Sequence, residues 1–273
     1  MRYLVEYIAN IDELLAEDSE RSLTYAALEA RLAIERVCYE RLKTAHSYIS
    51  AKDLKRWQPG YVMTTLINEV DPKIASTFTL SYAPEDGSGE PKEFTKLGTQ
   101  LGFDSKLLSQ HWQALGSFLH SNVPIAGEKV EHYCDREKMR SRLEHVRDEL
   151  ERLSEGTLTG AFIFNTVSFE CVCGQENKRA ADVLKSDQVV NCLVPDCAES
   201  YRVQVDGENI GFLRETIAIN CSNCGMSRPL ARNTLENLPK RETIMFVCDE
   251  CAEENFVAWH LVRTSPDRSE ASS

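Results

Sequence analysis

Apolar residues recur at helical spacing through the first half of the chain. In "SLTYAALEARLAIERVCYERLKTAHSYI" (22–49), Leu23, Ala27, Ala30, Ile34 and Val37 line one face, and Leu28, Leu32, Tyr39 and Leu42 a second. A helix apolar on most sides belongs in the middle of a bundle. In "WQPGYVMTTLINEVDP" the pattern predicts a helix that starts near Pro59, a good first-turn residue, and stops before Pro72. "PEDGSGEP" (84–91) reads as a turn-rich loop. "DSKLLSQHWQALGSFLH" opens on Asp104 as N-cap and repeats apolar residues at Leu108, Trp112, Leu115 and Leu119. The helix over 136–153 sets Met139, Leu143, Val146, Leu150 and Leu153 in a seam of coiled-coil type. So short a seam is marginal alone, which favours docking on its own bundle; a homodimer contact is the alternative.

From Thr157 the period shortens to two. Phe162 and Phe164 alternate, then Val167, Phe169, Cys171 and Cys173 fall on one face of an expected strand. Tyr201, Val203 and Val205 alternate before an Asp206–Gly207 turn. Ile217, Ile219 and Cys221 do the same, as do Ile244, Phe246 and Cys248. The pattern predicts an α+β protein: a helical bundle over 1–155, a β-rich domain over 156–263, and a disordered polar tail over 264–273.

Charge narrows the function classes. The net charge is −12, and from Gly156 onward 11 Lys and Arg face 17 Asp and Glu. A phosphate backbone would be repelled by such a surface, so nucleic-acid binding would need a local basic patch. The N-terminal apolar stretch is broken by Glu6 and Asp12, and no run approaches a membrane span. The expectation is a soluble cytoplasmic protein with reduced thiols.

Eight of the ten cysteines come in four close pairs: "FECVC", "VNCLVPDC", "INCSNC" and "FVCDEC". Each pair has an apolar residue two positions before its first cysteine: Phe169, Val190, Ile219 and Phe246. Glycine follows the first and third pairs (Gly174, Gly225), while the second and fourth run into similar text, "DCAES" and "ECAEE". This is the signature of a tandem duplication offset by roughly fifty residues. It groups Cys171, Cys173, Cys192 and Cys197 at one metal and Cys221, Cys224, Cys248 and Cys251 at another; ligands shared between the units are the alternative. Sulfurs on a tetrahedral Zn–S4 centre lie about 3.8 Å apart. Cys171 and Cys173 form a tighter chelate than CxxC, and Cys192 with Cys197 a looser one.

Over residues 167–262 these motifs resemble zinc ribbons, a broad class whose members bind nucleic acids or proteins, or merely brace a domain. The resemblance implies two structural Zn2+ ions. Four thiolates close each shell, so a catalytic zinc is not expected, and paired strand-end ligands favour zinc over an iron–sulfur cluster.

The helical half resembles HEPN-type bundles, some of which are ribonucleases using Arg, four to six residues, then His. Arg41–His46 and Arg140–His145 match that spacing. The stretch most like the family's catalytic helix, "WQALGSFLH", ends on His120 but has Ala114, Leu115 and Gly116 where the arginine is needed. Arg140 and His145 read as a solvated face, His111 as a buried histidine, and Arg31 with Glu35 as a partly buried ion pair. Cys38 and Cys134 lack near partners and read as core or half-buried thiols. The sequence therefore points to a non-catalytic zinc-binding adaptor whose partner is another protein or a second copy, by the HEPN likeness a component of a bacterial multi-protein system. The rival readings are a HEPN-like ribonuclease, with Arg41, His46 and His120 as its candidates, and a ribbon that binds nucleic acid.

Overall fold

Ser19 starts the longest helix: its hydroxyl accepts the Ser22 N–H at 3.0 Å, while the Ser22 hydroxyl answers the Ser19 N–H at 2.9 Å. Two orphan donors are thereby satisfied at one helix end. A computed structural model describes residues 2–52, 54, 56–83, 93–119, 135–160 and 165–260. The chain divides into two compact units, 1–170 with 176–184, and 171–175 with 185–273. Phe162, Phe164, His120, Cys134, the loop at 84–91 and the tail from 264 lie outside the described residues.

In the first unit, helices α1 (Val5–Glu17), α2 (Glu20–Ala45), α3 (Pro59–Glu69), α4 (Ser105–Ser117) and α5 (Arg136–Ser154) form the bundle. Helix α2 touches the other four. Its inner face carries Ala26, Ala27, Ala30 and Ala33, all fully buried, and such short side chains let neighbouring helices approach closely. Pro59 sits in the first turn of α3, and the Asp104 carboxylate caps α4 by accepting from Lys106 N and Leu107 N. The five seam residues of α5 are buried in the bundle, so that face is occupied within the chain.

Two expectations need correction. The second apolar face of α2 is not enclosed: Leu28 is 41% and Leu32 39% exposed. Four neighbours cover only part of a helix circumference. The first half is also not wholly helical, because β1 (Phe78–Tyr82) and β2 (Thr95–Gln100) pair antiparallel between α3 and α4. The alternation Phe78, Leu80, Tyr82 was the available signal.

The lock between α2 and α4 is polar. Glu35 accepts from Trp112 Nε1 at 2.8 Å and lies 3.6 Å from Arg31, whose guanidinium stacks 3.9 Å from the Trp112 ring centroid. Deeper, Arg41 is fully buried, donates to Gln100 Oε1, and reaches the Leu101 carbonyl at 3.0 Å. Gln100 in turn donates to the carbonyls of Ile74 and Ser76. Hairpin β1–β2 is thus tied to α2 through one cation that has only neutral acceptors, and burial lowers the Arg41 pKa to about 10.

After α5 the strands are short: β3 (Thr166–Glu170), β4 (Glu176–Ala180), β5 (Val189–Asn191), β6 (Ser200–Asp206), β7 (Asn209–Arg214), β8 (Thr216–Asn220) and β9 (Ser227–Ala231). A five-residue helix, α6 (Arg232–Glu236), then leads to β10 (Thr243–Val247) and β11 (Glu254–Ala258). Three antiparallel hairpins, β3–β4, β8–β9 and β10–β11, accompany one three-stranded sheet, β5–β6–β7. The β6–β7 turn places Gly207 at φ +59°, as the Asp206–Gly207 pair predicts. The order β3, β4, helical turn, β5, β6 recurs as β8, β9, α6, β10, β11, about fifty residues later. Strands thus follow an N-terminal set of helices, the expected α+β class, and no helix among the described residues is long and apolar enough to cross a membrane.

Removing the Arg41 side chain strands Gln100 Oε1 and the Leu101 carbonyl and leaves a cavity. Arg41→Ala should lose roughly 3 kcal/mol in urea titrations that follow the helical signal. His46→Ala, at an exposed helix end, should stay within about 0.5 kcal/mol of the parent. Equal effects would contradict the placement of Arg41.

Candidate metal centres

Hairpin geometry alone brings the first cysteine pair of each repeat into a turn. Strand β3 ends at Glu170, so Cys171 and Cys173 do not share a strand face as their alternation suggests. They lie on a knuckle in which Gly174 N donates to Cys171 O at 2.8 Å and Cys171 N to Gln175 O at 2.9 Å. The fold forces both sulfurs inward by turning the backbone, which closes a spacing that an extended strand would keep open. The third pair follows the same plan, with Gly225 N donating to Cys221 O and Cys221 N to Met226 O. Gly174 and Gly225 hold φ +85° and +73°, the left-handed region that glycine enters without a Cβ clash.

The second pair of each repeat closes a later turn. Cys192 N donates to Glu199 O, and Cys248 N to Glu253 O, so the two acidic knuckles use equivalent atoms. The fourth knuckle reaches the left-handed region without glycine: Ala252 sits at φ +57° and donates its N–H to Cys248 O at 2.9 Å.

The eight sulfurs gather in two groups, Cys171, Cys173, Cys192 and Cys197, and Cys221, Cys224, Cys248 and Cys251, each with all its Sγ atoms within 4.8 Å of one another. The ligands assemble within each repeat, and the crossed alternative does not occur. In the first group Cys171 and Cys197 lie 3.7 Å apart and Cys173 and Cys192 3.8 Å. In the second the corresponding contacts are 3.7 Å for Cys221 and Cys251, and 3.6 Å for Cys224 and Cys248. These match the edge of about 3.8 Å expected for sulfur around a tetrahedral ion. Each group can therefore hold a metal ion.

Electrostatics point the same way. The backbone N–H groups of Cys224 and Asn223 hold the Cys221 thiol down to about 6. Burial, followed by the neighbouring Cys171, Cys173 and Cys192, pushes Cys197 up to about 12. Four thiolates at such distances repel one another unless a cation sits among them, and soft sulfur selects a thiophilic ion.

Two supporting side chains were not singled out in the sequence as parts of the sites. The Tyr201 hydroxyl accepts the Val172 N–H at 3.1 Å, beside Cys171; burial and its hydrogen bond to Cys171 raise the tyrosine pKa, keeping it protonated as a donor. At the equivalent place in the second repeat, Asn255 Oδ1 accepts the Ser222 N–H at 2.8 Å while Nδ2 lies 3.5 Å from Cys221 Sγ. Both residues stand four positions after the last cysteine of their repeat, which was the signal available in "DCAESY" and "ECAEEN". Such outer contacts orient ligands and tune their basicity.

Glu215, between β7 and β8, joins the repeats. Its carboxylate accepts from Arg202 Nε at 2.7 Å and lies 3.0 Å from Arg232. Arg202 first, with Arg232 adding to it, holds the Glu215 carboxyl below the usual carboxylate range.

Of the catalytic candidates, Arg41 and His46 lie among the described residues, and their side chains have different surroundings. Arg41 is buried and bonded inside the bundle, whereas His46 is exposed and its Nδ1 lies 2.7 Å from Lys43 O, in the last turn of its own helix. The five-residue interval across the end of α2 sends the two side chains into different surroundings. Arg140 is engaged with Asp18 and Glu144, and His145 with the Ser141 carbonyl. His111 is buried, with Nδ1 3.1 Å from Arg142; burial first and then Arg142 lower its pKa. Cys38 is buried as expected, and burial pushes its thiol up to about 12. Comparison with protein-family models, curated proteins and solved structures finds no match.

Cys171→Ser and Cys221→Ser should each cut bound metal from about two ions per chain to about one, measured by elemental analysis of freshly isolated protein. Two ions retained in either variant would contradict the four-sulfur assignment. Ala252→Gly relieves a left-handed alanine and should stabilise the metal-loaded module by about 0.5–1 kcal/mol in denaturant melts. A loss of stability would mean that this knuckle has another conformation.

Proposed function

We propose that this chain is a non-catalytic interaction protein whose C-terminal module is braced by two structural zinc ions. One observation carries the reading: each centre offers four converging sulfurs and so fills a tetrahedral shell. Cys171, Cys173, Cys192 and Cys197 would hold one ion and the other four cysteines the second. Zinc bound there supplies charge neutralisation and a cross-link, with no coordination position for water or substrate. Paired ligands and sulfurs spaced for a single ion favour zinc over an iron–sulfur cluster. A reducing, cytoplasmic compartment would keep the thiols available for it.

Support for interaction with a protein comes from the outer face of the β10–β11 hairpin. Met245 lies opposite Phe256, with Val247 beside them, and all three are large, apolar and exposed. Exposed apolar groups on a sheet face are usual at protein contacts. The net charge of −12 disfavours nucleic acid as the main partner. By the HEPN-like pattern of its helical half alone, the chain would serve as a component of a bacterial multi-protein system.

Incubating the purified protein with labelled RNA should leave the RNA intact, and co-purification from the native host should return a defined protein partner. Metal-independent cleavage that vanishes in His46→Ala would replace this reading with the ribonuclease one. Bound iron in place of zinc would correct the metal.

A further inference from the structure

The two repeats differ at one edge. In the first, β6 is flanked on both sides, by β5 and by β7. In the second, β11 is the counterpart of β6: it follows the acidic knuckle directly, and its Asn255 takes the place of Tyr201. Yet β11 pairs only with β10, so among the described residues it has no third strand. Unpaired strand edges are usually covered, blunted or used.

What β7 does for β6 defines what β11 lacks. In the β6–β7 register, Phe212 lies opposite Val203, which is fully buried, and Arg214 opposite Tyr201. Arg214 also grips the Glu199 carboxylate with two hydrogen bonds of 2.7 Å each. Counting from Tyr201 and Asn255, the equivalent of Val203 is Val257, and that of Glu199 is Glu253. Val257 is only half-buried. Glu253 is exposed, and its carboxylate has no cationic partner among the described residues, although its carbonyl accepts from Cys248 as Glu199's does from Cys192. Between Thr243 and Ala258 there are four acidic residues, Asp249, Glu250, Glu253 and Glu254, and no lysine or arginine.

We infer that the open edge of β11 takes an extended strand from a protein partner, one that sets two adjacent apolar residues opposite Val257 and Phe256 and carries an arginine for Glu253. Main-chain hydrogen bonds along β11 supply affinity, an apolar side chain covers Val257, and the bidentate arginine fixes register. The apolar residue opposite Phe256 extends the exposed Met245, Val247 and Phe256 surface into a continuous contact. The inference deepens the interaction reading by naming its surface and the chemistry of its ligand.

The chain itself provides a probe: a fluorescent peptide copying residues 208–215, ENIGFLRE. Anisotropy titration with the metal-loaded full-length protein should give saturable binding. Replacing the peptide arginine by alanine, or making Glu253→Gln in the protein, should each weaken it about tenfold, and the two together no more than either alone. Phe256→Asp, at an exposed position, should weaken it also while metal content and circular dichroism stay unchanged. Absence of saturable binding up to about 1 mM overturns the inference. So does binding indifferent to Glu253→Gln, which would mean that the peptide displaces β7 instead. Either failure leaves the outcome of native co-purification untouched, so the broader interaction reading is judged separately.

Discussion

Crowding of sulfur governs the C-terminal half of this protein. Eight thiols are held in two groups, with separations of 3.6–3.8 Å for four of the pairs. Uncompensated thiolates at that distance repel strongly, and a cation among them turns the repulsion into a cross-link. Apolar burial adds a small set to this, Val190, Tyr201, Val203, Leu235 and Phe246 among it. The main hydrophobic cluster runs from Leu4 to Leu153 and contains no residue of the cysteine-rich region. Two-stranded hairpins, the form taken by β8–β9 and β10–β11, are marginal in water without something to pack on. Metal binding and folding of this unit are thus expected to be one equilibrium.

Within that frame the duplicated plan tolerates different side chains wherever the same hydrogen bond can be made. A tyrosine hydroxyl and an asparagine carbonyl oxygen satisfy the same N–H in the two repeats. Glycine supplies the left-handed residue in two knuckles, and an alanine does so in a third. That alanine adopts a conformation costly for its type, and it persists because the knuckle's hydrogen bond and the neighbouring sulfurs define the turn. The Glu215 carboxylate, shared between Arg202 and Arg232, then ties the two repeats to one another.

In the helical unit the organising contact is also polar. Arg41 was a catalytic candidate because arginine and histidine recur at the right interval; its burial gives it a structural part, linking α2 to the β1–β2 hairpin through Gln100. A buried guanidinium that bonds neutral acceptors through both terminal nitrogens helps to fix which residue packs where, since another register would lose these bonds as well.

Local chemistry was legible in the chain. The cysteine pairs and their echo between "DCAES" and "ECAEE" pointed to both four-sulfur groups, proline and aspartate marked the helix starts at Pro59 and Asp104, and period-two alternation located several strands. Such signals survive because caps, turns and chelating pairs act over a few residues, where spacing and geometry coincide. The rest needed contacts distant in sequence. Helical spacing carries the inner face from Ile34 and Val37 on to Arg41, but that its partner there is Gln100 is set only across the fold. Period alone could not tell that Cys171 leaves its strand to enter a turn, or that Leu28 and Leu32 stay at the surface. Which strand edges are covered is likewise decided by pairing: β6 gains β7 through a tight turn, and β11 has no counterpart among the described residues. Partner choice between segments far apart in the chain depends on the whole fold, and a local pattern carries no record of it.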